Sequence, residues 1–488
     1  MIKEKLNSIL TKIKNNKKKV IGITLGILVV FIFAFTLYNF LYHRKSRVSE
    51  SKRTNSIFDD TTFDSCVINS YNSENGTSKT SIYNLTAEEL QKLKTINCES
   101  MNIVSTKGIE KLTNLKVIRL KNNQIKSIDL SNNKVLEDLD LSGNQITSIN
   151  LSKNTALTNL NLSDNQITSV DLSKNTALTN LNLSDNQITS VDLSKNTFLE
   201  NLNLSSNQLA NIDLRDNTSL VELDLGYNQI ASIDLSQNTF LEDLDLSGNQ
   251  ITSINLSKNT ALTNLNLSDN QITSVDLSKN TFLENLDLSS NQLANIDLSK
   301  NKVLTTLFLR NNQLTNIDLR DNTSLVELDL GYNQIKSIDL SKNENLVGLE
   351  MYDNKLTSID LSKNKALIGL DLSSNQITSI DLSKNTALTS LDLGSNKLTN
   401  LNLSKNSQLN SLFIENTSLM EDISIQSGKT YNIEEKIKLP EGKKFTYSVD
   451  DTSIATVDGN TITALKNGST TLNVNFGVVS FARKLVVK

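Results

Sequence analysis

An asparagine returns every 21 residues from Asn123 to Asn396, fourteen times, with no residue inserted or deleted between copies. A second asparagine column keeps step from Asn133 to Asn406. Around them the chain reads L-x-x-L-x-L-x-x-N-x-I/L, as in Leu157–Ala177, LTNLNLSDNQITSVDLSKNTA. Leucines two apart share one face of a short strand, so Leu160 and Leu162 point inward while Asn159, Asn161 and Ser163 point outward. One such coil cannot bury its leucines alone. Stacked coils can, with parallel strands ~4.8 Å apart. Asparagines held in line inside the stack satisfy turn backbone groups that a dry core would strand. The return segment has its own apolar positions, Ile167, Val170 and Leu172, and no helical period. An extended convex side follows.

This is the leucine-rich-repeat pattern. The expected fold class is a repeat solenoid of parallel β-strands with an extended convex side, about sixteen coils over residues 93–421. Leu93-x-x-Ile96-x-Cys98 opens it, and Leu93 to Leu115 is 22 residues, one more than the later coils. That slip marks a divergent terminal repeat. A solenoid's first coil exposes its apolar end, so residues 57–92 are read as a helical cap. There Phe58, Phe63, Val67 and Tyr71 recur at roughly helical spacing, and Thr86 with Glu89 forms a capping box. Cys66 falls in this cap and Cys98 in the first coil. A disulfide pinning helix to coil is one reading and two buried small hydrophobes the other.

Charge is unevenly placed. Residues 1–53 carry twelve Lys/Arg against Glu4 and Glu50, so the rest of the chain must sum to −14 to give the net −4. Nothing in that acidic remainder suggests nucleic-acid binding. Residues 1–19 read as a basic cytoplasmic tail. Val20–Tyr42 holds 23 residues without a charge, the length and composition of a transmembrane helix. No small-residue cleavage site follows, so it is read as an uncleaved signal anchor, with a cleaved leader as the alternative. Residues 43–56 read as a linker. Basic residues flank the anchor seven to five, but translocating a tail of seven lysines is the harder route. The expectation is a single-pass membrane protein with its repeats and the region after them on the extracytoplasmic side.

After Leu419 the pattern changes to short alternating runs separated by turn signals such as Pro440-Glu441-Gly442 and Asp458-Gly459-Asn460. Residues 422–488 therefore read as a small all-β sandwich. Val449–Leu465, VDDTSIATVDGNTITAL, followed by Lys466-Asn467-Gly468, resembles the bacterial Ig-like domain of the group-2 type. The array with its cap resembles the internalin-like leucine-rich-repeat surface proteins of Gram-positive bacteria. It departs from them in having 21-residue rather than 22-residue coils and an N-terminal anchor. The resemblance implies surface display and an array that binds a protein partner.

The outward strand positions are the natural binding face. Most are Asn, Asp or Ser, poor in the residues that carry binding energy. Three consecutive coils interrupt the ladder, and Phe308, Arg310, Tyr332, Glu350 and Tyr352 form the candidate contact patch; drift in a solvent-facing column is the plain alternative. On the return side Asp129, Asp171, Asp192, Asp213, Asp234 and Asp276 stack carboxylates, with lysines such as Lys174 three residues later. Calcium would be the functional reading, but the glycine-rich calcium nonapeptide is absent and a lysine-compensated ladder is expected instead. No cofactor or transition-metal site is expected, since the only histidine is His43. No P-loop, triad or metalloprotease motif assembles an enzyme. Two functions remain: a membrane-anchored adhesin-like protein binding protein or glycan on its concave face, or a structural stalk that projects the Ig-like tip.

Overall fold

The computed structural model describes residues 58–488 apart from 418, 420–421, 433–435 and 478. The basic tail, the apolar stretch 20–42 and the linker lie outside the described residues. Among the described residues, no helix is long and apolar enough to cross a membrane.

Among the described residues, sixteen strands of the array form one parallel sheet. Strand β1 (Thr95–Asn97) pairs with β2 (Val117–Arg119) in register, Ile96 beside Ile118. From β3 (Asp138–Asp140) to β15 (Ser390–Asp392) a three-residue strand recurs in each coil, and β17 (Ser411–Phe413) closes the sheet. Register never slips: Leu139 lies beside Leu160 and Leu160 beside Leu181. The central apolar residue of each strand in this sheet and the one two residues on are buried throughout, as at Leu160 and Leu162. Each fully buried leucine contributes roughly 1.5–3 kcal/mol. The convex side has almost no regular structure. Ile167 and Leu172 are fully buried there and Val170 is partly buried, so the chain is extended yet packed.

The two asparagine columns satisfy backbone groups between coils. Asn144 Nδ2 donates to the carbonyls of Leu120, Leu141 and Ser142 at 3.0, 2.9 and 3.2 Å. Its Oδ1 accepts from Ile125 N at 3.0 Å. Asn154, in the second column, donates to Leu130 O at 3.0 Å and Asn133 O at 2.9 Å.

The N-terminal end is covered by α1 (Thr61–Asn75) and one-turn α2 (Ala87–Leu90). Asp60 caps α1, accepting from Thr62 N at 2.8 Å and Phe63 N at 3.2 Å. Its other oxygen accepts from Val104 N at 2.9 Å, which ties the cap to the first coil. Phe58 therefore lies before the helix rather than on it, set edge-on to Phe63 with centroids 5.1 Å apart. Thr86 and Glu89 form the capping box at the start of α2. Cys66 on α1 and Cys98 beside β1 are joined by a disulfide, with Cα atoms 5.7 Å apart.

Beyond the array lie two small sheets. One has four strands in the order β18 (Ile423–Ile425), β25 (Val479–Val487), β24 (Gly468–Phe476), β21 (Thr446–Val449). The other has three: β19 (Thr430–Asn432), β23 (Thr461–Ala464), β22 (Ala455–Asp458). The convex segment β16 (Leu401–Asn402) pairs in parallel with β20 (Ile437–Lys438), stitching this region to the array.

Candidate binding surface

Three strands hold the candidate patch: β11 (Thr306–Phe308), β12 (Glu327–Asp329) and β13 (Gly348–Glu350). Their register sets Phe308 beside Asp329 and Asp329 beside Glu350. Just past the strand ends the Arg310 guanidinium lies 5.4 Å from the Tyr332 ring centre and 5.5 Å from that of Tyr352. The two rings meet edge to face at 5.2 Å. A cation shared by two tyrosine faces is held in place yet still exposed, and such contacts contribute roughly 0.5–1 kcal/mol each at exposed sites. The structure thus brings the five sequence-chosen residues onto three adjoining coils.

Two glycines shape the patch. A Cβ on Gly331 would lie 2.5 Å from Cζ of Tyr352, so only glycine leaves room for that ring to lie flat. A Cβ on Gly348 would collide with the Glu327 carboxylate. Sequence reading left Gly331 out of the candidate patch; its signal was a glycine where most other coils carry serine, a signal that Gly226 and Gly394 share. Tyr332 holds a left-handed φ of 51°, the conformation that the residue at this turn adopts in coil after coil.

Carboxylates surround the cation. Burial, more than the neighbouring charges, raises the pKa of Asp329 above the ordinary aspartate range, against the lowering effect of the Gly331 N–H and Arg310. Glu350 is raised by burial first, then by Asp329 and Asp371. Burial, followed by the charge on Asp329, pushes the Tyr352 hydroxyl up to about 12. A hollow of about 660 Å³ opens beside the patch, lined in part by Asp287, Phe308, Arg310, Tyr332 and Glu350. A longer trough of about 990 Å³ follows the strand face from Arg119 to Phe308. Phe308 lines both, a half-buried ring where the polar trough ends.

The return-side aspartates are held differently from the expected lysine-compensated ladder. Asp171 Oδ1 accepts from Ser173 N at 2.9 Å, closing a turn within its own coil. That hydrogen bond is the main reason its pKa falls below the usual range, and the charge on Lys174 contributes least. The column is a turn device. Among the described residues, no group of three or more His, Cys, Asp or Glu side chains could hold a metal ion.

In-register strands, an inward leucine pair and buried asparagine columns define the class: a leucine-rich-repeat solenoid. The family profile "Leucine Rich repeats (2 copies)" matches residues 218–258 and 302–343, and "Leucine Rich repeat" matches six further segments between 132 and 401. Among solved structures, the chain is similar to the functional domain of InlJ, an internalin of Listeria monocytogenes, at 29% identity. That match covers 89% of this chain and 98% of the other, with a TM-score of 0.69. A leucine-rich-repeat protein of Leptospira interrogans is 25% identical, covering 68% and 92%, with a TM-score of 0.64. YopM from Yersinia enterocolitica is also 25% identical, covering 68% and 72%, with a TM-score of 0.54. The InlJ domain is described as including a cysteine ladder; the buried ladders here are asparagine. Residues 435–478 match the profile "Hyaluronate lyase, N-terminal beta-sheet domain". No curated protein matches the chain.

Proposed function

We propose that this chain is a membrane-anchored, surface-displayed binding protein that engages a protein or glycan ligand on its concave strand face. The observation that carries the reading is the Arg310 guanidinium shared by Tyr332 and Tyr352, with Phe308 and Glu350 alongside. Arginine and tyrosine are the residue types that dominate binding hot spots, and here they interrupt an otherwise small polar ladder. Residues 20–42 supply the anchor and place the array outside the membrane. The Cys66–Cys98 bond agrees with that side, where disulfides persist. Residues 422–488 serve as a bacterial Ig-like module.

The test uses Arg310→Ala and Tyr352→Ala in chains displayed on cells. Each is expected to lower binding to cells or matrix by at least about tenfold, the equivalent of about 1.4 kcal/mol. Gly331→Ala should do the same indirectly, by lifting Tyr352 off its seat. Binding unchanged by all three would favour the second reading, a stalk that carries the tip without a ligand of its own. The largely Asn/Asp/Ser face of the other coils is the observation that keeps that reading in play. Protease added to intact cells tests the display: an array left uncut overturns it.

A further inference from the structure

Three phenylalanines stand fully outside the core along one edge of the array. Phe198, Phe240 and Phe282 are 62%, 64% and 62% exposed, an unusual cost for the largest apolar side chains of these coils. Each occupies the same place in its coil, three residues before a strand. They fall on alternate coils, with Ser219 and Ala261 at that place in between and Val303, 43% exposed, one coil further. The edge therefore reads Phe, Ser, Phe, Ala, Phe, Val, with large rings ~10 Å apart over small residues.

Read backwards, that pattern is its own complement. Laid antiparallel on a copy of itself, it sets Phe198 over Val303, Phe240 over Ala261 and Phe282 over Ser219, and the same three pairs in reverse. No ring meets a ring. We propose that this edge is a self-association surface whose occupant is the same edge of a second copy of this chain, related by a two-fold axis between the coils of Phe240 and Ala261. An isologous contact needs a self-complementary patch, which this edge supplies.

The charges that flank the edge fit the same pairing. A glutamate follows each phenylalanine by two residues, at Glu200, Glu242 and Glu284. The antiparallel arrangement places them opposite Thr305, Thr263 and Val221, so no carboxylate faces another. Three residues before the edge, Asp216 comes opposite Lys279 and Gln237 opposite Lys258, with like charges only at the outer pair, Lys195 and Lys300. The parallel alternative, in register, would set each ring against its own copy. Six coils span roughly 24 Å, a contact smaller than the ~800 Å² per side of a standard stable interface, so the dimer is expected to dissociate in about the micromolar range. The antiparallel sense puts the two N-terminal caps at opposite ends of the pair. That suits chains anchored on facing membranes, a consequence that alone rests on the proposed anchor.

Sedimentation equilibrium of the full chain in a mild detergent reads the outcome. The unaltered chain is expected to pass from monomer to dimer with concentration, and Phe240→Ala to weaken the dimer by about tenfold. The decisive variant is Ala261→Phe, which adds apolar surface but fills a hole. Phenylalanine is already accepted at this place in the two neighbouring coils, so the fold should hold, as circular dichroism would record. Self-complementary packing predicts that Ala261→Phe weakens the dimer, and that Phe240→Ala with Ala261→Phe in one chain restores it, because ring again meets hole. A chain monomeric at every concentration overturns the proposal. So does stronger association of the Ala261→Phe chain, the mark of nonspecific stickiness, or a folded double variant that stays monomeric. Loss of ligand binding at Arg310 moves none of these readings.

Discussion

Asn249 and Asn259 lie in the same coil, and the hydrogen bonds around them predict unequal costs of removal. Asn249 Nδ2 reaches Leu225 O, Leu246 O and Ser247 O at 3.0–3.1 Å. Its Oδ1 takes the buried Ile230 N–H at 2.9 Å. Asn259 donates to Leu235 O and Asn238 O at 3.0 and 2.9 Å, but both carbonyls also accept from backbone N–H groups. Its own Oδ1 accepts nothing from the described residues, as in all fourteen asparagines of that column. Asn249→Ala thus strands an amide that Asn259→Ala does not, and an orphaned buried group costs roughly 1–3 kcal/mol. Urea unfolding should show Asn249→Ala the more destabilising, at about 2–4 kcal/mol against about 1–2 for Asn259→Ala; the opposite order would refute this account of the columns. A second residue-scale expectation concerns pH. Burial, then the charges of Asp371 and Glu415, raises Asp392 to about 6 despite the Gly394 N–H. The folded state therefore holds its proton more tightly than the unfolded chain. Stability from this group is present at acid pH and is lost as pH rises through about 6. Asp392→Asn should raise the thermal midpoint at pH 7.5 and leave it unchanged below the ordinary aspartate range; an equal rise at both pH values would point to packing instead.

Elements show what patterning can reveal and where it stops. The alternating apolar pairs, L-x-L in all but two coils, gave away the strands from β2 to β15, because a period of two repeated every 21 residues packs as stacked short strands. Thr86 and Glu89 likewise announced α2 through local hydrogen bonding alone. Phe58 misled, since Asp60 spends one carboxylate oxygen on the α1 N-terminus and the other on Val104, a residue 44 positions away. Spacing carries no trace of such a contact. Strand β19 was hidden for another reason: all three of its residues are exposed, so no alternation marks it. At the binding face, sequence supplied the columns and hence the neighbours Phe308, Asp329 and Glu350. It could not supply the ring-to-cation geometry of Arg310, which depends on rotamers and on the missing Cβ of Gly331. Two junctions between elements yield tests. Reducing Cys66–Cys98 frees α1 from β1 across a 32-residue separation and should cost about 2–4 kcal/mol, seen as a lower midpoint under reductant and early proteolysis near residues 61–75. At the other end Gly477 has a φ of 58° and its Cβ would run into the carbonyl oxygen of Asn410. Gly477→Ala should therefore loosen the β24–β25 hairpin from the last coil while the array melts as before; a common shift of both transitions would contradict that division.

At the scale of the molecule, the chain is built by addition. Arg215–Ile230 and Arg320–Ile335 are identical in sequence, and the offset of 105 residues from one to the other is five whole coils. Each coil contacts only its neighbours, so stability is close to a sum of coil and interface contributions, provided the ends stay capped. The sum tolerates the loss of a whole period and nothing less. Removing residues 260–280 joins Asn259 to Thr281, the residue that Thr260 already was, and keeps both asparagine columns, the strand register and every inward leucine pair in step. That chain should melt cooperatively, within a few degrees of the parent, since one interface of many is lost. Removing only residues 260–270 deletes the strand Asn264–Asn266 but leaves the return segment behind. The leucines on either side of the gap then have no partner layer, and limited proteolysis should cut there first. The 21-residue deletion carries one further consequence. It takes out Ala261 and brings Phe282 next to Phe240, so the exposed edge would read Phe, Ser, Phe, Phe, Val and would set ring on ring when paired with itself. A shortened chain that folds as well as its parent but no longer dimerises would separate the solenoid's indifference to length from its edge's dependence on pattern. If that chain still dimerises, the pairing does not run through the phenylalanine edge.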